Sequence, residues 1–232
     1  MEQFRSGWIG NRTMNQKPPY ALHSTTPGAL AKMRSHIQPY ETDVMGLPIL
    51  VLPDVWSPAY DWSSRFHVAH LPDVRGRACL EIGCGTGIIS VFTARTGASR
   101  VVAVDINAEA IRNTCLNFKR FNVANGEARL SNAFANVQGM FDVIIWNAPY
   151  HGSRPADTLE RACTDENYHD VRVFFQKVSD HLQPDGMVIF GFSESGDIPL
   201  IETLIAENGF RARHTVSAWQ EGCNFVLFFL TR

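Results

Sequence analysis

The stretch "ACLEIGCGTGIIS", residues 78–90, joins an apolar run to a helical pattern through three closely spaced glycines. Gly83, Gly85 and Gly87 occupy alternate positions, which lets the backbone turn tightly and approach a ligand that a Cβ atom would obstruct. The dinucleotide-binding fingerprint is G-x-G-x-x-G, whereas this stretch reads G-x-G-x-G. It therefore predicts a strand, a ligand-binding turn and a helix, with a spacing that differs from that of dinucleotide-binding folds.

The next apolar run, "RVVAVDIN" at residues 100–107, ends in an acidic residue. Asp105 lies 22 residues after Gly83, where a carboxylate can accept hydrogen bonds from both hydroxyl groups of a ribose. A glycine turn alone also occurs in ordinary strand-to-helix connections. The loop and the acid together indicate a cofactor that contains a ribose.

Short apolar runs alternate with helical patterns from about residue 77 onward, which is typical of a parallel sheet flanked by helices. The pattern predicts seven strands, near residues 78–83, 100–105, 127–131, 141–146, 186–193, 211–217 and 223–231. It predicts helices near residues 87–97, 107–121, 167–182 and 198–208. The final connection, "AWQEGCN", is too short for a crossover helix, so the last two strands should pair antiparallel. The predicted fold class is α/β: a Rossmann-like three-layer sandwich with a seven-stranded, mostly parallel sheet and an antiparallel C-terminal hairpin.

The segment "STTPGALAKMRSHIQ", residues 24–38, predicts a short helix ahead of this core. Thr26 is placed as its N-cap and Pro27 as its first helical residue. One face of the helix carries three apolar residues, Leu30, Met33 and Ile37. After it, "GLPILVLPDVWSP" predicts a small hairpin, and "AYDWSSRFHVAHL", residues 59–71, predicts a helix that leads into the core.

The chain thus divides into an N-terminal part, residues 1–54, and a core domain, residues 55–232. Aromatic residues are frequent in the first part and at the start of the second: Phe4, Trp8, Tyr20, Tyr40, Trp56, Tyr60 and Trp62. Residues 1–40 carry five basic side chains and one acidic one, a net charge of +4 that leaves −6 for the remainder of the chain. We expect the N-terminal part to be a lid or substrate cover with a basic, anion-contacting arm. Structural padding at one edge of the sheet is the alternative.

The composition is that of an ordinary globular protein, with 45% hydrophobic residues and a net charge of −2. The apolar runs have about five to ten residues, where a membrane helix needs about 20, and the first 30 residues lack the apolar core of a signal peptide. We therefore expect a cytoplasmic protein with no membrane partner. The five cysteines are widely spaced and form no C-x-x-C pair, which indicates reduced thiols. His67 and His70 lie three residues apart without a nearby third ligand, so no metal is predicted.

At the glycine loop and Asp105 the chain resembles the class I methyltransferases that depend on S-adenosylmethionine (SAM). "E-x-G-x-G-x-G" with an acid at the end of the next strand is the cofactor signature of that family, and the resemblance covers roughly residues 55–232. It implies an enzyme of the seven-stranded fold with SAM as cofactor. By this resemblance Glu81 and the Gly83–Gly87 loop would hold the methionine moiety, and Asp105 the ribose. Three positions would contact the adenine: Ile106 against its face, Asn132 at its amino group and Ala133 through its backbone.

The stretch "FDVIIWNAPYHG", residues 141–152, fits the fourth strand of this core and its exit loop. A subgroup of the same family ends this strand in Asn-Pro-Pro-Tyr or Asn-Pro-Pro-Phe and methylates planar nitrogens, namely adenine and guanine amino groups and glutamine side-chain amides. Asn147, Pro149 and Tyr150 match, while Ala148 replaces the first proline and removes its fixed φ. By this resemblance the carbonyl groups of residues 147 and 148 would accept the two hydrogens of the nitrogen and orient its lone pair, and Tyr150 would stack on it. A strand-ending turn without a chemical role is the alternative.

Two segments are similar to particular branches of the family. "SNAFANVQGMFDVIIWNAPYHG" most resembles ribosomal-RNA guanine methyltransferases. "GLPILVLPDVWSPAYDW" resembles the segment before the core in release-factor glutamine methyltransferases, where a proline and an acid three residues later approach the cofactor. Pro58 and Asp61 match this pattern, which makes Asp61 a candidate cofactor contact, whereas Trp62 replaces the usual small hydroxyl residue.

The predicted function is SAM-dependent methyl transfer to an amine or amide nitrogen, with Asn147, Pro149 and Tyr150 as the catalytic residues. Because the chain shows neither an added basic domain nor room for a large recognition domain, we expect a small-molecule acceptor and no nucleic-acid partner. The alternatives are an RNA or protein-glutamine methyltransferase, a non-enzymatic SAM-binding subunit, and a cyclase that consumes SAM alone, as azetidine-2-carboxylate synthases do. No general base stands out among the acids and histidines near the site in the chain: Asp61, Asp165, His151 and His169.

Overall fold

The computed structural model describes residues 25–220 and 222–232. The expectations for Phe4, Trp8, Tyr20 and the basic arm within residues 1–24 lie outside these ranges. No helix in the described ranges combines the length and the apolar character that crossing a bilayer requires. The elements follow in the order α1 (Thr26–Ser35), β1 (Tyr40–Val44), β2 (Leu47–Val51), α2 (Ser63–Ala69), β3 (Ala78–Ile82), α3 (Ile88–Arg95), β4 (Arg100–Asp105), α4 (Ala108–Arg120), β5 (Gly126–Leu130), β6 (Phe141–Asn147), α5 (His169–Lys177), β7 (Leu182–Ser193), α6 (Ile198–Glu207), β8 (Arg211–Gln220) and β9 (Cys223–Thr231).

Strands β3 to β9 form one seven-stranded sheet in the order β5-β4-β3-β6-β7-β9-β8, so β5 and β8 are its outer strands. The pairs among β3 to β7 are parallel, whereas β9 pairs antiparallel with both β7 and β8. The predicted α/β class and the antiparallel C-terminal hairpin are therefore confirmed. The strand order reverses between β3 and β6, and in open α/β sheets ligands bind at the carboxyl ends of the strands next to such a point.

Both faces of the sheet are covered by apolar side chains. Successive residues of a strand point to opposite faces, and in β6 Ile144 belongs to one buried cluster and Ile145 to the other. Helices α5 and α6 pack on the face of Ile144, while α2, α3 and α4 pack on the face of Ile145. Burial on both faces explains why the central strands are continuous apolar runs in the sequence.

One predicted helix is shorter in the structure and the strand after it is longer. The helix expected over residues 167–182 ends at Lys177, a 3-10 turn at Val178–Asp180 follows, and β7 begins at Leu182. Val178 and Leu182 are both buried. Because their spacing of four residues is also the helical spacing, the apolar pattern continues although the backbone has already left the helix.

The N-terminal elements are of the predicted types but shifted along the chain. Hairpin β1–β2 begins before the predicted segment, because Met45 and Gly46 form its turn with φ values of 51° and 84°. The helix expected over residues 59–71 is limited to α2. The N-cap position of α1 is Thr25, and Ile37 lies beyond the helix with 80% of its surface exposed, so neither the predicted cap nor the third apolar position holds.

Helix α1 packs against the loop between β6 and α5. The contact is a small apolar cluster, separate from those of the sheet, whose buried members are Leu30, Met33, Leu159 and Cys163. Arg34 adds ion pairs with Asp157 at 2.7 Å and with Glu160 at 3.3 Å. Arg34 is one of the five basic residues counted within residues 1–40, and it is therefore ion-paired within the protein.

Two buried asparagines of α4 attach β2 to the core. The Asn113 side chain accepts a hydrogen bond from Leu52 N at 2.8 Å and donates to Leu50 O at 2.8 Å. Asn117 Oδ1 accepts from Leu50 N at 3.1 Å, and its Nδ2 donates to Leu50 O and to Thr86 O. Buried backbone polar groups need hydrogen-bond partners, and these two side chains provide them for Leu50 and Leu52. They also fix the segment after β2 beside the glycine loop.

His67 of α2 is buried against the sheet. It is 1% exposed, and among the described residues neither ring nitrogen has a hydrogen-bond partner. A Cβ atom on Gly191 of β7 would lie 1.9 Å from His67 Nε2, so the glycine provides the space that the ring occupies. Burial lowers the pKa of His67 to about 3. The described part of the chain contains no group of three or more His, Cys, Asp or Glu side chains that could hold a metal ion.

Replacing His67 by Leu should raise the free energy of unfolding by about 1–2 kcal/mol at pH 7, because it removes a buried polar ring without partners. The folded pKa of about 3 lies below the usual 6.5, so the wild type loses stability as the pH falls below 6.5. The advantage of the variant should therefore grow by about 2 kcal/mol between pH 7 and pH 5. Urea unfolding at both pH values measures this, with His70→Leu as the control. A variant that is less stable than the wild type at both values would contradict it.

Candidate active site

A cleft opens at the carboxyl ends of β3, β4 and β6, where the strand order reverses. Its walls are the glycine loop, the segment before α2, the start of the loop after β5 and the loop between β6 and α5. All but one of the site residues predicted from the sequence line it: Asp61, Glu81, Gly83, Gly85, Asp105, Ile106, Asn132, Ala133, Asn147, Pro149 and Tyr150. The exception is Gly87.

The glycines of the loop serve different purposes. Gly87, with a φ of 76°, is the N-cap of α3, and a Cβ atom there would lie 2.7 Å from the side chain of Thr114 in α4. Gly87 therefore permits close packing of the loop on α4. It does not line the cleft, although the sequence analysis had placed it among the cofactor-binding residues. Gly85 has a φ of 53°, and a Cβ atom there would meet no protein atom within 4 Å. Its position leaves open space in which a ligand can approach the backbone.

Asp105 is held at both carboxylate oxygens by backbone N–H groups. Oδ2 accepts from Gly85 N at 2.9 Å, and Oδ1 accepts from Asn107 N at 2.9 Å. Burial raises the pKa of Asp105, and the hydrogen bonds from these N–H groups oppose the rise. A carboxylate offers about four acceptor positions, so roughly two remain for the hydroxyl groups of a ribose.

Glu81 is buried beneath the glycine loop and contacts the first turn of α3. Its Oε2 accepts hydrogen bonds from Ser90 N at 2.8 Å and from the Ser90 hydroxyl. The N–H groups of a first helical turn have no partner within the helix, so Glu81 satisfies one of them. Burial raises the pKa of Glu81 to about 8, although the bonds from Ser90 lower it. Glu81 thus supports the loop from below as well as lining the cleft.

Replacing Glu81 by Gln should stabilise the cofactor-free protein at alkaline pH. The folded pKa of about 8 exceeds the usual 4.5, so the wild type is fully stable below pH 4.5 and loses stability as the pH rises towards 8. Gln keeps the acceptor for Ser90 but carries no charge to bury. We expect the variant to gain on the order of 3 kcal/mol relative to the wild type between pH 5 and pH 8. Thermal unfolding at both values checks this, and equal slopes for the variant, the wild type and the exposed control Glu202→Gln would contradict it.

The loop after β5 and the residue that follows β4 form the end of the cleft that was predicted to hold adenine. Ile106, directly after β4, is 42% exposed, and Asn132, in the loop after β5, is exposed at the rim. Ala133 has a φ of 42°, which is uncommon for a residue with a Cβ atom. The Ser131 hydroxyl donates to Ala133 O at 2.8 Å and accepts from Asn136 N at 2.9 Å, which holds the loop in this conformation.

At the end of β6 the side chain of Asn147 is hydrogen-bonded at both ends. Its Nδ2 donates to Ser63 Oγ at 2.8 Å, and its Oδ1 accepts from the Tyr150 hydroxyl at 3.1 Å. The Ser63 hydroxyl donates in turn to Asp61. Burial raises the pKa of Tyr150, and the nearby Asp61 raises it further, so Tyr150 remains a hydrogen-bond donor. These contacts fix the Asn147 side chain in one position.

Ala148 keeps the backbone after Asn147 in place without the proline of the Asn-Pro-Pro-Tyr motif. Its N–H donates to Gly191 O of β7 at 3.1 Å, a bond that a proline could not make. It is 2% exposed and packs in the core cluster of the Ile144 face. The loss of rigidity expected from the Ala148 replacement is therefore offset by this hydrogen bond to the neighbouring strand.

Several residues of the cleft were not predicted from the sequence. Ser63 lines the cleft and contacts Asn147 across 84 positions of the chain. Arg161, paired with Asp170 at 2.8 Å, lies on the opposite loop. No periodicity marks these positions, because they reach the cleft through tertiary packing. The other candidate general bases do not line the cleft: Asp165 binds the N–H groups of residues 170 and 171, and His151 and His169 lie outside it.

The strand order, the cleft and the glycine loop with its acid define the architecture of a class I SAM-dependent methyltransferase. The family profile described as the methyltransferase small domain matches residues 46–199, more than half of the chain. The chain therefore belongs to the methyltransferase small domain family. This membership confirms the predicted class of enzyme and its cofactor, SAM.

The curated proteins that match part of the chain include the following two. A candidate protein N5-glutamine methyltransferase of Methanocaldococcus jannaschii is 42% identical over 108 residues, which cover 47% of this chain and 53% of the relative. The ribosomal RNA small subunit methyltransferase C of Aeromonas hydrophila is 34% identical over 142 residues, which cover 60% of this chain and 38% of the relative. The chain thus spans about half, or less, of the length of these relatives.

The solved structures that share the fold at low sequence identity include the following two. The 16S rRNA N2 methyltransferase of T. thermophilus, in complex with AdoMet and guanosine, is 20% identical with a TM-score of 0.62 over 84% of this chain and 50% of that one. The ribosomal protein L11 methylase of Lactobacillus delbrueckii subsp. bulgaricus is 21% identical with a TM-score of 0.58 over 73% of this chain and 76% of that one.

The expectation of a small-molecule acceptor, or of SAM alone, without a nucleic-acid partner is wrong. The relatives and solved structures named above are methyltransferases or a methylase of ribosomal RNA, ribosomal protein or protein glutamine. That expectation rested on the absence of a separate recognition domain and on the overall charge. Neither the absence of a separate recognition domain nor the overall charge specifies the shape and chemistry of the surface around the cleft.

Proposed function

We propose that this protein transfers the methyl group of SAM to the side-chain amide nitrogen of a protein glutamine. The observation that carries the proposal is the Asn147 amide, which is fixed with Nδ2 bonded to Ser63 and Oδ1 directed to Tyr150, in the same cleft as the glycine loop. The sequence at this position resembles that of the Asn-Pro-Pro-Tyr subgroup, with Ala148 at the second position.

The residues of the cleft fit SAM. Asp105 keeps acceptor positions for the ribose, Gly85 leaves space beside its backbone, and Ile106 offers an apolar surface to the adenine. Asn132, Ala133 and Asp61 complete the proposed cofactor contacts, and the buried Glu81 lies near the methionine end. When bound, SAM supplies a methyl group on a positively charged sulfur, which is already a strong electrophile.

The contribution of the protein is to orient the acceptor nitrogen. The lone pair of a primary amide is delocalised, so the nitrogen is a poor nucleophile. Asn147 Oδ1 has a second lone pair besides the one that accepts from Tyr150, and with the carbonyl of Ala148 it offers two acceptors for the two N–H groups. Holding both hydrogens directs the lone pair without requiring a strong base.

The glutamine side chain is favoured by the 42% identity to the candidate protein N5-glutamine methyltransferase and by the matching segment before α2. A guanine amino group of ribosomal RNA is the second candidate. It presents the same planar NH₂ group, and the match to the ribosomal RNA small subunit methyltransferase C extends over 142 residues. The two candidates make the same demand on Asn147 and differ in what surrounds the cleft.

The N-terminal part, residues 1–54, is proposed to cover the cleft, with residues 55–232 as the SAM-binding domain. Helix α1 supports this, because it packs on the loop that forms the wall of the cleft opposite the segment before α2. The ion pairs of Arg34 with Asp157 and Glu160 reinforce that contact.

Incubation with SAM labelled in its methyl group tests the acceptor class. The protein is mixed in parallel with ribosomal subunits, with purified ribosomal RNA and with glutamine-containing proteins, and Asn147→Ala is the control. We expect the label in protein, removable by protease but not by nuclease, with N5-methylglutamine identified by mass spectrometry. Label that only nuclease removes would replace the first candidate by the second, and absence of label from every acceptor would contradict both.

A further inference from the structure

A chain of hydrogen bonds connects Asn147 to an acid in the segment before α2. Asn147 Nδ2 donates to Ser63 Oγ at 2.8 Å, and the Ser63 hydroxyl donates to Asp61 Oδ1. The Ser63 backbone N–H also donates to Asp61 Oδ1, at 2.7 Å. We propose that Asp61 and Ser63 are positioning residues that determine which end of the Asn147 amide faces the acceptor. This inference rests on the proposed function, in which Asn147 Oδ1 accepts a hydrogen of the reacting nitrogen.

The number of protons available for the hydrogen bonds between Asp61, Ser63 and Asn147 decides the orientation of the Asn147 amide. A carboxylate only accepts hydrogen bonds, and a serine hydroxyl has a single proton to donate. Because Asp61 takes that proton, Ser63 Oγ can only accept a further hydrogen bond, and Asn147 must present its NH₂ group to it. Asn147 Oδ1 then lies on the other side, where it accepts from Tyr150.

Shape alone would not select this orientation. The oxygen and the NH₂ group of an asparagine are nearly equal in size, so only the hydrogen-bonding partners distinguish them. In the reversed orientation Asn147 Oδ1 would face Ser63 Oγ without a proton between them. Its NH₂ group would then face the hydrogens of the acceptor, which is repulsive for a primary amide.

The surroundings hold Ser63 and Asp61 in place. Ser63 is 3% exposed and is the first residue of α2. Burial raises the pKa of Asp61, and the hydrogen bonds from the Ser63 hydroxyl and N–H oppose the rise. Asp61 Oδ1 accepts two hydrogen bonds from Ser63. Asp61 therefore influences the methyl acceptor indirectly, through Ser63 and Asn147. This role was not evident from the sequence, where Asp61 matched a cofactor-contacting position and was also considered as a general base.

A first experiment needs no acceptor and is therefore independent of the proposed function. In ¹⁵N-labelled protein the side-chain NH₂ signal of Asn147 is identified by its absence from Asn147→Ala. We expect its protons to exchange with solvent at least about tenfold more slowly than those of an exposed asparagine, because they are bonded to a buried hydroxyl. Ser63→Ala should abolish this protection, Asp61→Asn should reduce it, and Ser63→Thr should retain it. The control is Ser57→Ala, which removes a buried hydroxyl bonded to Tyr40 outside the cleft.

A second experiment measures turnover with the acceptor that the wild type methylates. Ser63→Ala should lower kcat about five- to tenfold, the usual effect of losing one hydrogen bond, with the Kd for SAM changed less than about twofold. In the Asn147→Ala background the same substitution should change kcat less than about twofold, because no amide is left to orient. Ser63→Thr should restore most of the activity.

Three results would overturn the proposal. They are an Asn147 NH₂ signal that exchanges freely in the wild type, protection that is unchanged in both Ser63→Ala and Asp61→Asn, and a kcat loss from Ser63→Ala that is equal with and without Asn147. If the NH₂ protection behaves as expected while no glutamine or RNA acceptor is methylated, the proposed function fails and the orientation of the amide stands.

Discussion

Replacing Asn147 by Ala is expected to lower kcat by about two to three orders of magnitude, while the Kd for SAM changes less than about threefold. The substitution removes an oriented acceptor for the reacting nitrogen, and removing one such preorganised group in other enzymes has an effect of about this size. It leaves the contacts of the glycine loop and of Asp105 intact. Kinetics with the labelled acceptor and calorimetric titration with SAM measure the two quantities separately.

The control for Asn147→Ala is Asn208→Ala. Asn208 follows α6 and donates to Leu204 O at 2.8 Å, outside the cleft, so its loss should leave kcat unchanged. A second comparison is Asn147→Asp, which keeps the size of the side chain but places an acceptor opposite Ser63 Oγ. Equal losses of kcat and of SAM affinity in Asn147→Ala would assign this residue to the cofactor pocket.

Replacing Gly85 by Val is expected to abolish detectable SAM binding, a loss of more than about a hundredfold in affinity. A side chain at this position enters the open space beside the loop, and a β-branched residue with a φ of 53° is strained as well. The same strain will reduce stability, so Gly85→Ala is measured beside it. We expect Gly85→Ala to weaken SAM binding about tenfold and to cost about 1–2 kcal/mol of stability. Calorimetric titration with SAM and thermal unfolding provide the two measurements.

The matched control for Gly85 is Gly87→Ala in the same loop. Its new Cβ atom would meet Thr114, so it should lower the melting temperature more than Gly85→Ala does. Because Gly87 does not line the cleft, the remaining folded protein should bind SAM more tightly than the Gly85 variant. The reverse ranking, with binding lost in Gly87→Ala and kept in Gly85→Ala, would contradict the assignment of the two glycines.

The sheet and the part of the cleft around the glycine loop could be predicted from the sequence because their signals are local. The glycine loop is a stretch of a few residues, and Asp105 directly ends an apolar run. A sheet with both faces buried leaves a strong apolar pattern in the sequence. The contact of Ser63 with Asn147 and the packing of His67 on Gly191 could not be predicted, since each joins segments far apart in the chain. The acceptor was predicted wrongly because chain length and net charge do not describe the surface of the cleft.

The two outer strands of the sheet, β5 and β8, bear on how the protein behaves at high concentration. Each leaves one row of backbone N–H and C=O groups without a strand partner, which invites pairing with another copy and growth of fibrils. Strand β8 carries exposed Arg211 and Arg213, and β5 carries Glu127 and Arg129. A second copy added to β8 would bring like charges together and bury arginines. The outer strand β8, which completes the fold, therefore also opposes ordered aggregation.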